Sequence, residues 1–366
     1  MERLHIAFFG PTNSGKSTLV NAICGQEVSL VSPVPGTTTD PVRKIAELPG
    51  LGPCVLIDTA GLDDTGTLGA ERQRLTKAVM DETDVAVLLD ESLLPQFEDA
   101  GIPAVIYKRG QSIDSLLERI AAVAPQEESK YLTGNLVGPG SSVLLVMPQD
   151  KEAPKGRLIL PQVQILRELL DRGCIPHCCT HESLPDAMRS LAGKPDLVIT
   201  DSQVFGLVNK TIPQDWSLTS FSVLLAAAKG DLNVFVKGAL AIENLRPGGR
   251  VLIAEACTHV PDTEDIGRVK IPAMLRKRVG MADHAGHDGT VIPDQVGDLT
   301  VDIAAGNNFP EDLSPYSLII HCGACVANAR LVRSRIRKAV AAGVPITNYG
   351  LAIAYLQGIL PRISLP

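Results

Sequence analysis

Apolar residues along this chain alternate between two regimes. In one they form short continuous runs, and in the other they return every three or four positions. The runs Ile6–Phe9, Val55–Ile57, Val85–Leu89 and Ala104–Tyr107 predict buried strands, with helical periodicity between them. That βαβα order predicts parallel sheets covered by helices. A first unit therefore runs to residue 125. Residues 126–140 turn polar, then rich in Gly and Pro, and predict a linker.

A second unit, 141–216, opens with strand Ser142–Met147. A helix begun by Pro161 and stopped by Gly173 follows, then strand Cys174–Thr180, helix Ser183–Leu191 and strand Asp196–Thr200. About 75 residues make a marginal core, so docking or dimerisation is expected to complete it. The third unit, 217–366, carries predicted strands Val251–Ala254, Ser317–His321 and Val344–Thr347, and predicted helices Asp231–Leu245 and Val326–Ala342. Between them the Gly-, Asp- and His-rich stretch His284–Asp298 reads as an inserted loop. The expected fold class is α/β, with two smaller parallel-sheet domains behind the first.

Composition narrows the chemistry. The chain has 366 residues, 45% hydrophobic and 20% charged, with a net charge of −7. That balance offers no broad footprint for nucleic acid or an anionic membrane, so any phosphate site must be local. No apolar run approaches a membrane span, and a cytoplasmic protein is expected. Aromatic residues are only 4% of the chain, which argues against base-stacking platforms. Eight cysteines in such a chain suit metal ligation or burial better than a disulfide framework.

One local phosphate site is explicit. Gly10-Pro-Thr-Asn-Ser-Gly15-Lys16-Ser17 fits G-x-x-x-x-G-K-[ST] between a strand and an apolar helix. Gly10, Asn13, Ser14, Gly15 and Thr18 belong to the loop that wraps phosphates. Lys16 is placed to reach the β and γ oxygens, and Ser17 to take Mg²⁺. Thr38, within Pro35-Gly-Thr-Thr-Thr-Asp40, is a second Mg²⁺ candidate. Asp58 and Gly61 of Asp58-Thr-Ala-Gly61 supply a third Mg²⁺ candidate and an N–H for the γ-phosphate. The set resembles translation-factor-type GTPases, and Asn13 matches the P-loop asparagine with which potassium-dependent members hold K⁺. The Asn-Lys-x-Asp guanine reader is absent. After Ala104–Tyr107 the chain reads Lys108-Arg109-Gly110, either a degenerate remnant or the sign of a missing strand–helix unit.

A second constellation gathers at predicted strand ends. Cys257 and His259 follow Val251–Ala254, and His321-Cys322-Gly-Ala-Cys325 follows Ser317–Ile320 and is expected to open a helix. Ligands of parallel α/β sheets bind beyond the strands' carboxyl ends. A helix N-terminus would also favour thiolates. Three thiolates with two histidines admit zinc or an iron–sulfur cluster. His177-Cys178-Cys179-Thr-His181 sits on a strand-like run, where neighbouring side chains face opposite ways, and reads as structural.

Cys-x-His followed by a distant His-Cys-x-x-Cys resembles the signature of HydF, the maturation GTPase family of [FeFe]-hydrogenase. Lys155–Gln162, Asp196–Gln203, Asp265–Pro272 and Thr347–Gly350 support the likeness along nearly the whole chain. The resemblance implies a GTPase domain, a dimerisation domain and a cluster-binding domain. It implies GTP with Mg²⁺ and a [4Fe–4S] cluster on Cys257, Cys322 and Cys325, with His259 and His321 as further candidates. It also implies a homodimeric scaffold that receives a two-iron precursor made with two radical-SAM maturases and delivers it to apo-[FeFe]-hydrogenase. The competing reading is a GTPase of tRNA modification or ribosome assembly with an accessory metal site. The acidic balance and the lack of a basic RNA-binding module weigh against it.

Overall fold

The computed structural model describes residues 3–25, 41–61, 69–125, 131–149, 158–256, 265–283, 299–306 and 308–366. The chain divides into two compact units, Met1–Glu128 and Ser129–Pro366. No described helix is long and apolar enough to cross a membrane.

The first unit runs β1 (Leu4–Phe9), α1 (Lys16–Cys24), β2 (Val42–Leu48), β3 (Gly52–Asp58), α2 (Gly69–Glu82), β4 (Val85–Leu88), α3 (Leu94–Asp99), β5 (Ala104–Ile106) and α4 (Ile113–Val123). Its sheet has the order β2-β3-β1-β4-β5, parallel except for β2. β1 lies in the middle and is covered on both faces. Ile6 and Phe8 join one cluster while Ala7 and Phe9 join the other, all at 0% exposure. This is why the run reads as continuous rather than alternating. Burial of such side chains contributes about 1.5–3 kcal/mol each. β2 escaped the sequence pattern because one face meets solvent, leaving Ile45 67% exposed among charges. Glu82 at the end of α2 ties the layers together, paired with Arg43 of β2 and with His5 Nδ1 of β1 at 3.5 Å.

The second unit holds two all-parallel four-stranded sheets. The first uses β6 (Ser142–Val146), α5 (Leu160–Asp171), β7 (Ile175–Cys179), α6 (Leu184–Ser190), β8 (Leu197–Thr200), α7 (Phe205–Thr211), β9 (Leu218–Ser220) and α8 (Phe221–Lys229), in the order β7-β6-β8-β9. The next uses α9 (Leu232–Leu240), β10 (Arg250–Glu255), α10 (Ile271–Asp283), β11 (Thr300–Ala305), β12 (Leu318–His321), α11 (Ala329–Ala341), β13 (Ile346–Asn348) and α12 (Tyr349–Leu356), in the order β11-β10-β12-β13.

Two expected boundaries shift. β9 pairs with β8, Val198 to Leu218 through Thr200 to Ser220, so this sheet reaches past 216. Residues 131–140, expected as linker, are gripped by α5 and its end. Glu168 accepts from Leu132 N at 2.5 Å and Thr133 N at 3.0 Å, and Arg172 donates to the carbonyls of Gly134 and Val137. The expected docking is present as well. One apolar cluster unites Leu144, Val146 and Val198 of the first of these sheets with Leu252, Ala254, Ile319 and Ile346 of the next. Gly238 of α9 makes a close approach possible, since a Cβ there would lie 1.9 Å from the Ile346 carbonyl oxygen.

Candidate functional site

In the first unit, β1 delivers Gly10 into a loop that ends where α1 begins. Asn13 (φ 61) and Gly15 (φ 95) are both left-handed, the conformation from which backbone anion nests are built. Lys16 is 6% exposed and folds across the loop, its Nζ donating to Gly10 O at 3.0 Å and Pro11 O at 2.7 Å. Ser17 bonds the Asp58 carboxylate. Burial raises the Asp58 pKa, against the opposing pull of that bond and of Lys16 and Lys44. Two buried oxygens here, Ser14 Oγ of the loop and Asp58 Oδ1 at the end of β3, have no hydrogen-bond partner among the described residues. Buried polar atoms are rarely left so, and a phosphate over the loop with a Mg²⁺ beside Asp58 suits both. Thr18 is exposed on α1, while Thr38 lies outside the described residues.

Gly61 carries a packing duty that the motif alone does not reveal. A Cβ there would stand 2.7 Å from Thr12 N and 2.8 Å from Thr12 Cα, so the loop after β3 needs glycine to pass the P-loop. Thr59 fixes the same crossing by donating to Phe8 O at 2.6 Å.

A cleft of about 420 Å³ opens beside the loop, lined by Pro11, Ser14, Leu89, Asp90, Tyr107 and Lys108 among others. β5 is the last strand of the sheet, and Lys108-Arg109-Gly110 leaves its carboxyl end along this cleft. Gly110 is left-handed (φ 93), and Lys108 N donates to Gln111 Oε1 at 3.0 Å, closing a tight turn into α4. That turn brings a lysine to the rim and no carboxylate. Acidic side chains at the cleft come instead from Asp90 and Glu91 after β4. Asp90 already accepts from Ser92 N at 2.9 Å, and that bond holds its carboxyl below the usual range.

In the second unit the carboxyl ends of β10, β12 and β13 lie side by side. The register sets His321 beside Ala254 of β10 and beside Asn348 of β13, so Cys322 emerges level with Glu255 and Tyr349. Cys322 Sγ accepts from two backbone donors, Ala256 N at 3.1 Å and Ala324 N at 3.4 Å. N–H groups aimed at sulfur stabilise the thiolate form that a metal or cluster requires. The Tyr349 hydroxyl is buried nearby and finds no hydrogen-bond partner among the described residues. Burial first, then the charges of Cys322, Glu255 and Asp265, push its pKa well above the usual value. A sulfur-ligated group held beside Cys322 would offer that hydroxyl an acceptor.

The helix expected to open at this pair begins later. α11 starts at Ala329, capped by Asn328 Oδ1 accepting from Leu331 N at 3.2 Å. Cys322 and Cys325 occupy the loop ahead of it, where Ala324 is left-handed (φ 50). Local N–H donors, rather than the first helical turn, serve Cys322.

His321 is 1% exposed and has both ring nitrogens engaged. Nδ1 lies 2.8 Å from the Cys322 carbonyl oxygen, to which it donates, and Nε2 lies 3.2 Å from Arg335 Nη1. Burial and the Arg335 charge lower its pKa to about 3, so it is neutral. Glu255, 1% exposed, pairs with Arg268 at 2.7 Å, and Asp265 caps the turn that holds Arg268 by accepting from its N at 2.8 Å. Arg335 and Glu255 were missed in the sequence. The available signal was a charge on the apolar stripe Leu331, Arg335, Ala339 of α11.

Cys257 and His259 lie outside the described residues, as does the loop His284–Asp298. Among the described residues no group of three or more His, Cys, Asp or Glu side chains converges to hold a metal. On β7, Cys178 is exposed while Cys179 turns inward against the core. Burial, then the neighbouring Cys178, raises the Cys179 pKa to about 11. Cys54 is raised to about 11 by burial and Glu47.

The curated relatives each match about a quarter to a third of the chain. The tRNA modification GTPase MnmE of Methylobacterium sp. (strain 4-46) is 43% identical over 94 residues, covering 24% of this chain and 21% of that protein. GTPase Der of Kosmotoga olearia is 34% identical over 124 residues, covering 32% and 28%. The chain thus spans between a fifth and a third of the length of these relatives. A solved structure of Era with MgGDPNP and a 16S ribosomal RNA fragment aligns over 52% of this chain and 99% of its own, with 17% identity and a TM-score of 0.31. A family model for the 50S ribosome-binding GTPase matches residues 5–125. The hydrogen maturase F dimerization domain matches 132–230, and the hydrogen maturase F tetramerization domain matches 233–366. With both of these modules in order behind a P-loop GTPase domain, the chain belongs to the hydrogen maturase F family.

Proposed function

We propose that this protein is a hydrogenase-maturation GTPase that works as a nucleotide-switched scaffold and carrier. It holds a [4Fe–4S] cluster on Cys257, Cys322 and Cys325 and delivers a two-iron precursor to apo-[FeFe]-hydrogenase, after loading with two radical-SAM maturases. The observation that carries the reading is the Cys322 sulfur, receiving two backbone N–H groups at the carboxyl end of a parallel sheet. Three thiolates leave one iron position of such a cluster open to a labile ligand or cargo. His321 serves this site by fixing the Cys322 carbonyl rather than as a ligand, since both its nitrogens are occupied.

In the first unit, the loop around Lys16 binds the triphosphate, Ser17, Asp58 and Thr38 hold Mg²⁺, and Asn13 offers a ligand for K⁺. GTP turnover or binding biases which partner docks. The two oligomerisation modules support an assembly of copies of this chain, with a homodimer as its minimal form.

The test is co-expression with the two radical-SAM maturases, anaerobic purification and mixing with apo-hydrogenase. Hydrogen evolution, with Fe–CO and Fe–CN infrared bands on the loaded protein, is the expected result. An intact cluster without either would overturn the carrier role.

A further inference from the structure

α8 closes the first sheet of the second unit and ends at Lys229, which is 4% exposed. Its Nζ donates to Ala324 O at 2.8 Å and to Ala327 O at 2.7 Å. Those two carbonyls flank Cys325 on either side. Ala324 is one of only two non-glycine residues with positive φ among the described residues. Left-handed alanine is strained and persists only where its surroundings enforce it. Burying an ammonium is also unfavourable, and is tolerated when its donors meet well-placed acceptors. Here one cation from the segment matched as the dimerization domain bonds two carbonyls of the turn that carries a thiol of the next domain.

We infer that Lys229 is the positioning residue of the cysteine loop. By gripping the carbonyls on both sides of Cys325, it sets where that sulfur stands relative to Cys322. It also makes the loop follow α8, and through α8 the strand β9. An ammonium suits the task because it offers three donors, and charge-assisted bonds to carbonyls are shorter and stronger than neutral ones. Arginine can reproduce the double contact in part, and methionine fills the volume without donating. The consequence for a bound cluster rests on the proposed function, whereas the shape of the loop does not.

The experiment compares wild type, Lys229→Met and Lys229→Arg as full-length chains. In the first arm the iron-free proteins are alkylated with iodoacetamide and followed peptide by peptide. Lys229→Met should raise the Cys325 rate several-fold while Cys178 is unchanged, and Lys229→Arg should restore most of the protection. In the second arm the proteins are reconstituted with iron and sulfide. Lys229→Met should release iron to a chelator about 10- to 100-fold faster, as expected when a group supporting a ligand is lost. Its reduced-cluster EPR line shape should also broaden. Wild-type alkylation rates in a folded Lys229→Met chain would overturn the inference. If Lys229→Met does not fold, Lys229→Gln, shorter and without the charge, takes its place: a raised Cys325 rate in the folded chain supports the inference, and a wild-type rate overturns it. Failure of wild type to take up iron would instead sink the cluster reading, leaving the alkylation arm to decide on Lys229.

Discussion

His321 and Arg335 share one hydrogen bond, 3.2 Å from Nε2 to Nη1, and that bond fixes the histidine as an Nδ1–H tautomer pointing its proton at the Cys322 carbonyl. Arg335 completes the arrangement by donating to Glu255 O at 3.2 Å and Gly306 O at 2.5 Å, with Phe309 stacked 5.0 Å away. A single buried guanidinium therefore laces the ends of β10, β11 and β12 together beneath the thiol loop.

Removing that lace should be costly. Arg335→Leu strands two buried carbonyls and a histidine nitrogen, and is expected to destabilise the second unit by about 3–5 kcal/mol. Differential scanning calorimetry of the iron-free chain checks it. His321→Gln keeps a polar side chain without imidazole and should retain the [4Fe–4S]⁺ EPR signal. Loss of that signal in a folded chain would restore the histidine as a ligand.

Cys257→Ala, Cys322→Ala and Cys325→Ala should each abolish the low-spin EPR signal of the reduced cluster, while Cys178→Ala and Cys179→Ala leave it intact. Iron and sulfide analysis should give the same division. A full cluster in the Cys257→Ala chain would remove the three-thiolate assignment.

Nucleotide affinity should reside in the phosphates. Lys16→Ala and Asp58→Asn are expected to weaken binding of Mg²⁺ nucleotides at least tenfold in calorimetry, about 1.4 kcal/mol or more. The turn Lys108-Arg109-Gly110 brings no carboxylate to the base, so GTP and ATP should be discriminated poorly. A site that reads guanine by paired hydrogen bonds would discriminate by roughly 10⁴-fold. A strong GTP preference would point to Asp90 or Glu91 as a replacement reader.

Glu82 should give the first unit an acid-sensitive component of stability. Burial alone would raise its pKa, but the contacts with His5 and Arg43 outweigh it and the net shift is downward. A carboxylate with a depressed native pKa stabilises the fold above its unfolded-state pKa, and that contribution is lost as pH falls through the native value. Wild type should therefore exceed Glu82→Gln most at neutral pH, by about 1 kcal/mol given that Arg43 is partly solvent-exposed. The two chains should converge in urea titrations as pH falls through the depressed Glu82 pKa. A gap independent of pH would contradict the ionic role.

The sheets were legible because their central strands are buried on both faces and read as unbroken apolar runs. Ile6–Phe9, Val251–Ala254 and Ser142–Met147 all fall on observed strands. β2 was hidden by its solvent-facing side, and β11 by the mixed run Thr300–Ala305, whose Ile303 is 40% exposed. The phosphate loop was readable because its glycine and lysine spacing is a covalent constraint. The support of the thiol loop was not, since Lys229, Arg335 and Glu255 are ordinary charged letters until folding buries them. The boundary at 216 came too early because a three-residue strand, Leu218–Ser220, carries too little periodicity to announce itself.

The apolar cluster shared by the two C-terminal sheets makes them a single cooperative body in melting. Two family modules meet between residues 230 and 233, yet Phe235 and Ala239 of α9 pack with Val208 of α7 and Leu218 of β9 in one continuous interior. A cut at that junction would not release two folded halves. Each would expose an unpartnered oily face, so the thiol loop leans on the sheet of the neighbouring module for the interior beneath it.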